Sequence, residues 1–119
     1  MSEFDTGSGI VSSARTSGDT LFASVSGEVD LNNSPELRGT MLDLVARNRP
    51  HKLVLDLAGV PYMDSSAIAV LVELLRRLGK GGQVILTNLQ PRVRGLLEIA
   101  RLDSIFVLAK NEQEATDKG

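Results

Sequence analysis

The residues best suited to chemistry are Asp64, Ser65 and Ser66, which lie between a predicted buried strand and a predicted buried helix. All three types are common helix caps, because a side-chain oxygen there accepts a hydrogen bond from a free backbone amide. From the residues alone, the first interpretation is that one caps the helix and the others are solvated. The second is a modification site, because phosphate on an exposed serine adds about −1.5 to −2 charges where a helix end tolerates anions.

The other candidates for chemistry favour structural roles. Asp56 and Asp64 are a conceivable catalytic pair of carboxylates, but such a pair needs two different pKa values, and Asp56 lies near the end of a strand, where a solvated or hydrogen-bonded aspartate is common. Residues 79–82 (GKGG) precede a strand and lack the phosphate-loop pattern, which indicates a helix end and turn. His51 begins a strand. We therefore predict a protein that is not an enzyme, with no catalytic residues, no cofactor and no metal site.

Composition narrows the function classes further. The chain has 119 residues, which fits one domain, and its 42% hydrophobic and 24% charged residues are ordinary for a globular protein. The absence of cysteine excludes disulfides, thiolate nucleophiles and cysteine-ligated zinc. Few aromatic residues and a net charge of −2 argue against direct nucleic-acid binding.

Localisation follows from what the chain lacks. No apolar run approaches the roughly 20 residues that span a bilayer, and the polar, acidic start of the chain is not a secretory signal. We therefore expect a cytoplasmic protein without a membrane partner.

Hydrophobic periodicity predicts an α/β domain with the element order β-β-α-β-α-β-α-β-α. Strands that alternate with helices imply a mixed, mainly parallel sheet, here of four or five strands with about four helices. We expect a flexible segment over residues 1–8 and one domain over 9–119. The predicted strands cover 9–15 (an edge strand), 20–27, 51–57, 83–87 and 105–108. The predicted helices run from Ser34 to near Asn48, from the Ser65 region to Gly79, from Pro91 to about Ala100, and over 111–118.

Two loops of this arrangement are expected to carry function. Ligands of open α/β sheets bind where the carboxyl ends of strands meet the amino ends of helices. The loops in that position are Gly27–Ser34 and Gly59–Ser66. In the first, Ser34 is the predicted helix cap and Pro35 the first helical residue.

Five segments between about Gly18 and Leu108 together resemble the STAS-domain family of anti-sigma factor antagonists. The resemblance lies in a Gly-Glu-aliphatic-Asp turn, a central strand, a loop with an aromatic-Met-Asp-Ser-Ser core, a following strand and a following helix. In this chain they are Gly27–Asp30, Leu53–Leu57, Val60–Ser66, Gly81–Val84 and Pro91–Leu97. Their order and spacing are those of the family.

The resemblance implies partner switching in the control of bacterial transcription, as in stress response or sporulation. The unphosphorylated protein binds an anti-sigma factor that is also a serine kinase, the kinase phosphorylates Ser65 and releases itself, and a serine phosphatase reverses the change. Asp64 orients the hydroxyl or the partner, and Ser66 caps the helix. The implied oligomeric state is a monomer or weak homodimer. The implied partner-binding residues are Gly27, Glu28, Asp30, Met63, Asp64, Ser65, Ser66 and Ala67.

Ala67 departs from the family, which often has glycine at this position. A methyl group in the first turn raises helix propensity by up to about 1 kcal/mol, and it would obstruct a kinase that needs close approach to the backbone. The departure keeps open an alternative, an unswitched STAS scaffold or regulatory domain of the stressosome or transport-associated kind. Glu28, Asp30 and Asp64 make the predicted partner face negative, so we expect basic residues on the partner.

Overall fold

The computed structural model describes residues 2–4 and 9–118. In this part of the chain six strands form one sheet, and four α-helices and a 3-10 turn complete the domain. The strands are β1 (Ser2–Phe4), β2 (Val11–Ser17), β3 (Thr20–Ser26), β4 (Lys52–Gly59), β5 (Gln83–Thr87) and β6 (Val107–Ala109). The helices are α1 (Ser34–Asn48), α2 (Ser65–Leu78), α3 (Pro91–Ile99) and α4 (Glu112–Lys118), with the 3-10 turn at Leu102–Ser104.

The sheet is mixed and mainly parallel, as predicted. Its strand order follows the sequence from β1 to β6; the first two pairings are antiparallel and the next three are parallel. The edge position expected for the first predicted strand is wrong, because β1 pairs with the outer side of β2. The segment 1–8, predicted to be flexible, contains β1, and its residues 1 and 5–8 lie outside the described residues.

The main core lies between one face of the sheet and helices α1, α2 and α3. Alternation along β3 and β4 places Leu21, Leu53 and Leu55 on that face, each fully buried. The opposite face carries a smaller apolar cluster, covered in part by Ala115 of α4. The carboxyl ends of β3 and β4 therefore meet the amino ends of α1 and α2 at one edge of a firmly packed layer.

Helix α1 buries its predicted apolar stripe, but Ser34 does not cap it. Leu37, Met41, Leu44 and Val45 all face the core. The cap position belongs to Asn33, and Ser34 is instead the buried first residue of the helix. Proline in the first turn makes the missing side-chain cap tolerable, since it has no amide hydrogen to satisfy.

Helices α2 and α3 begin and end where predicted, within a residue or two. Helix α2 stops before Gly79, whose φ of +83° suits a residue without a Cβ. The last strand differs more: β6 spans Val107–Ala109 rather than 105–108, because Ile105 ends the 3-10 turn that follows α3.

Candidate functional site

Two loops at the carboxyl edge of the sheet lie side by side and are called here the paired loops: residues 27–33 after β3 and residues 60–64 after β4. They continue the parallel pairing of their strands. The Val29 amide donates to the Tyr62 carbonyl (3.0 Å), and the Asp64 amide donates to the Val29 carbonyl (3.1 Å). Both Val29 and Met63 are buried at this bridge. The two loops expected from sequence to carry function are thus brought together.

Asp64 is the cap of helix α2. Its Oδ1 accepts hydrogen bonds from the amides of Ser66 (2.9 Å) and Ala67 (3.3 Å) and from the Ser66 hydroxyl (2.5 Å). The expectation that Ser66 caps the helix is therefore wrong: its hydroxyl donates to the capping carboxylate. A carboxylate accepts several donors at once and also favours the positive end of the helix dipole, so aspartate prevails here.

The second oxygen of Asp64 joins the paired loops. Its Oδ2 accepts a hydrogen bond from the Leu31 amide at 3.1 Å. These donors hold the pKa of Asp64 below its ordinary value, the Ser66 hydroxyl contributing most and the Ala67, Ser66 and Leu31 amides adding to it. Asp64 is therefore an ionised group that fixes the relative position of the two loops.

The two serines beside Asp64 differ in availability. Ser65 is exposed, and within the described residues its hydroxyl makes no hydrogen bond. Ser66 is half-buried and its hydroxyl is bound to Asp64. Of the two, only Ser65 presents a free hydroxyl to an incoming reagent.

The first of the paired loops is held by its own polar residues. The Asn33 side chain accepts from the Asp30 amide and donates to the Glu28 carbonyl, both at 2.8 Å. The Asp30 carboxylate accepts from the Asn32 amide at 2.9 Å. Asn33 and Asp30 thus act as braces inside the loop.

The remaining predicted partner-binding residues divide into exposed and buried groups. Gly27, with φ +94°, and Glu28 are exposed, and Asp30 is half-buried. Met63 and Ala67 are buried, so their side chains face the core rather than solvent. The exposed part of the predicted set is therefore Gly27, Glu28 and Ser65, with Asp30, Asp64 and Ser66 partly accessible.

Two exposed apolar side chains beside the site are absent from the predicted set. Leu31 is 74% exposed and Tyr62 is 37% exposed. Tyr62 also lies against the Arg92 guanidinium, which is 4.9 Å from its ring centroid. The one feature of the sequence that could have identified Leu31 is that it is a leucine within the otherwise polar run Asp30–Ser34. In the sequence, however, this run indicates no more than the start of a helix.

Asp56, one member of the conceivable catalytic pair, is held by hydrogen bonds within the fold. The Asp56 Oδ1 accepts hydrogen bonds from the Ala58 amide (2.9 Å) and from the Asn88 side chain (3.1 Å). These bonds give Asp56 a structural role at the end of β4.

No cluster of three metal-ligating side chains occurs in residues 2–4 and 9–118. No helix in these residues is long and apolar enough to cross a membrane.

Two cavities in the described part of the chain lie away from Ser65. A cavity of about 180 Å³ lies on the opposite face of the sheet against Arg15 and Phe22, and one of about 320 Å³ lies beside Arg49 and Pro50 at the far end of α1. Neither is lined by the paired loops.

Comparisons with known proteins agree with this geometry. A family model described as the STAS domain matches residues 12–115. The anti-sigma F factor antagonist of Paenibacillus polymyxa is 30% identical over 96 residues, which are 80% of this chain and 82% of that protein. An anti-sigma factor antagonist from Mycobacterium paratuberculosis, solved by crystallography, is 27% identical over 88% of this chain and 89% of its own, with a TM-score of 0.80.

The fold is also that of a protein solved with phosphate attached. The Bacillus cell fate determinant SpoIIAA in its phosphorylated form matches 88% of this chain and 96% of its own, at 21% identity and a TM-score of 0.66. The names of the relatives describe regulation rather than catalysis. The chain therefore belongs to the STAS domain family of anti-sigma factor antagonists.

Proposed function

We propose that this protein binds an anti-sigma factor through the paired loops and the start of α2, and that phosphorylation of Ser65 ends the binding. The observation that carries the proposal is the contrast between the two serines. Ser65 is exposed with a free hydroxyl at the helix start, whereas the Ser66 hydroxyl is bound to Asp64. A kinase would find one nucleophile here, not two.

The charge around Ser65 supports a switch. Phosphate would add about −1.5 to −2 charges next to the ionised Asp64 and near Glu28 and Asp30. In a contact that excludes water, the bulk and the desolvation of this phosphate oppose binding of a partner surface shaped to the unphosphorylated site, and they must outweigh any attraction to basic residues of the partner. A loss of about 4 kcal/mol would weaken binding roughly a thousandfold, which suffices for release.

The position of Ala67 supports the switched antagonist. Its side chain is fully buried, so the methyl group that replaces the usual glycine does not face an approaching kinase. Its amide still donates to Asp64 at the helix cap. We therefore favour the switched antagonist over a scaffold domain.

The proposal assigns this chain no catalysis of its own. It is the substrate of a serine kinase, which is the anti-sigma factor itself, and of a serine phosphatase. The compartment is the cytoplasm, where sigma factors meet RNA polymerase, and the form that binds is a monomer or weak homodimer.

The test uses the anti-sigma factors of the protein's own host, each purified and examined singly with ATP. We expect one of them to bind the unphosphorylated protein and to place phosphate on Ser65, as shown by peptide mapping across residues 62–67. Ser65→Ala should bind and never be released, Ser65→Asp should bind more weakly, and the matched control Ser66→Ala should still be phosphorylated. Failure of every anti-sigma factor to bind, or phosphate on Ser66 alone, would refute the proposal.

A further inference from the structure

We infer that the Leu31 side chain is the apolar anchor of this surface and enters an apolar pocket of the anti-sigma factor. The inference rests on the proposed function and adds the residue that supplies binding free energy and the kind of pocket that receives it. Leu31 lies outside the Gly-Glu-Val-Asp turn and the Asp-Ser-Ser segment that carry the family resemblance.

Exposure singles out this position. Four large apolar side chains are exposed in the described part of the chain: Leu31, Tyr62, Ile99 and Ile105. Two of them, Leu31 and Tyr62, lie within two residues of the bridge between Val29 and Met63. Single exposed apolar residues are ordinary, but here two are carried by neighbouring loops at one edge of the domain, a placement that favours an interaction site.

The backbone that carries Leu31 is preorganised. Its amide donates to the Asp64 Oδ2 at 3.1 Å, which ties it to the cap of α2. The next amide, of Asn32, donates to the Asp30 carboxylate, and Asn33 braces the loop from the other side. A side chain presented on a held loop loses little backbone freedom on binding, so more of its burial appears as affinity.

The neighbours of Leu31 define the partner's chemistry. Glu28 and Asp30 precede Leu31 in the same loop, and Ser65 directly follows Asp64, whose carboxylate accepts the hydrogen bond from the Leu31 amide. The matching pocket is apolar at its floor and basic at its rim, and phosphate on Ser65 would place a bulky, strongly hydrated group beside the apolar floor, where its desolvation opposes binding. Burial of one leucine corresponds to an affinity difference on the order of 10- to 100-fold.

The experiment compares three variants by isothermal titration against the host anti-sigma factor that binds the wild-type protein. Leu31→Ser removes the apolar side chain but keeps the amide that donates to Asp64. Leu31→Met keeps an apolar side chain of similar size. Ile99→Ser is the matched control, because Ile99 is 84% exposed at the end of α3, outside the paired loops.

We expect Leu31→Ser to bind about tenfold or more weakly than wild type, with Leu31→Met within about threefold and Ile99→Ser unchanged. Equal melting temperatures and circular dichroism spectra would show that all variants fold. Wild-type affinity for Leu31→Ser would overturn the anchor and leave the proposed function intact. If the wild-type protein bound no host anti-sigma factor, the proposed function would fail and the anchor with it.

Discussion

At the scale of single residues, Asp64 connects three parts of the site through one carboxylate. It caps α2, holds the Ser66 hydroxyl and fixes the Leu31 amide. The sequence indicates that one of three consecutive capping residues takes this role, but not which one, since serine and aspartate cap about equally well. A carboxylate accepts the helix amides and the Leu31 amide at once, and the sequence does not show this last donor because it comes from a loop 33 residues away.

The first prediction concerns Ser66. Because its hydroxyl is the largest cause of the lowered pKa of Asp64, Ser66→Ala should raise that pKa toward its ordinary value. Ser65→Ala, which removes a hydroxyl that does not touch Asp64, should leave the pKa unchanged. The measurement is a pH titration of the Asp64 carboxyl carbon by NMR. An equal Asp64 pKa in Ser66→Ala and Ser65→Ala would show that the hydrogen bond from the Ser66 hydroxyl to Asp64 is absent in solution.

The second prediction concerns the stability supplied by the cap. Asp64→Ala should lower Tm by about 5 °C at pH 7, because a helix cap and the link to Leu31 are lost together. The folded-state pKa of Asp64 is lowered, so the charged carboxylate stabilises the fold fully above its ordinary value of 3.8. This contribution is lost as the pH falls from 3.8 through the lowered pKa.

The difference in Tm between wild type and Asp64→Ala should therefore be constant near neutral pH and shrink below pH 3.8. Thermal unfolding followed by circular dichroism over this range measures it. Ser65→Ala is the control and should melt with the wild type at every pH. A difference that grew on acidification would contradict the assignment of Asp64 as the ionised cap.

At the scale of elements, periodicity predicts most helices and strands because burial governs both. The stripe of Leu37, Met41, Leu44 and Val45 repeats at helical spacing, and it is the face that α1 buries. The wrong strand assignments lie where the local hydrophobic pattern does not determine the secondary structure. The outer partner of β2 is β1, a three-residue strand too short to be recognised in the sequence. Strand β6 begins two residues later than predicted because a 3-10 turn precedes it.

The third prediction contrasts the effect on stability of replacing two glycines, one in a helix and one in a turn. Gly39 lies in α1, and a Cβ there would meet nothing within 4 Å, so Gly39→Ala should stabilise the protein by about 0.5–1 kcal/mol. Gly82 follows the turn after α2, and a Cβ there would lie 2.5 Å from the Leu78 Cβ. Gly82→Ala should therefore destabilise by about 1–3 kcal/mol. Urea unfolding measures the free energy of unfolding of both variants relative to wild type, which should rise for Gly39→Ala and fall for Gly82→Ala. A stabilised Gly82→Ala would show that the turn adapts freely to the added methyl group.

At the scale of the whole molecule, charged residues are unevenly distributed. Residues 72–101 hold six arginines or lysines against two glutamates, although the net charge of the chain is −2. The acidic residues near Ser65 come from the two loops that precede this basic segment. The sequence alone shows which segments are basic and which are acidic. It does not show that Glu28, Asp30 and Asp64 lie at one edge of the domain, because this depends on the parallel pairing of β3 and β4.

The last prediction tests the negative edge as a whole. If the partner presents basic residues, affinity for the anti-sigma factor should fall as salt rises from about 0.05 to 0.5 M, since exposed charges are screened over about 10 Å at 0.1 M. Glu28→Gln should weaken binding roughly two- to fivefold at low salt, mainly by slowing association. Asp19→Asn is the control: Asp19 precedes β3 at the end of the strand remote from the paired loops, and its change should not alter association.

Stopped-flow association measured over this salt range distinguishes steering from direct contact. Steering by the negative edge predicts that wild type and Glu28→Gln converge at high salt, because the variant lacks only a long-range attraction. Parallel salt curves separated by a constant factor would instead place Glu28 in a direct, desolvated contact. Rates indifferent to salt in both proteins would show that the partner is not basic at this edge, and binding would then depend on the apolar side chain of Leu31 rather than on charge.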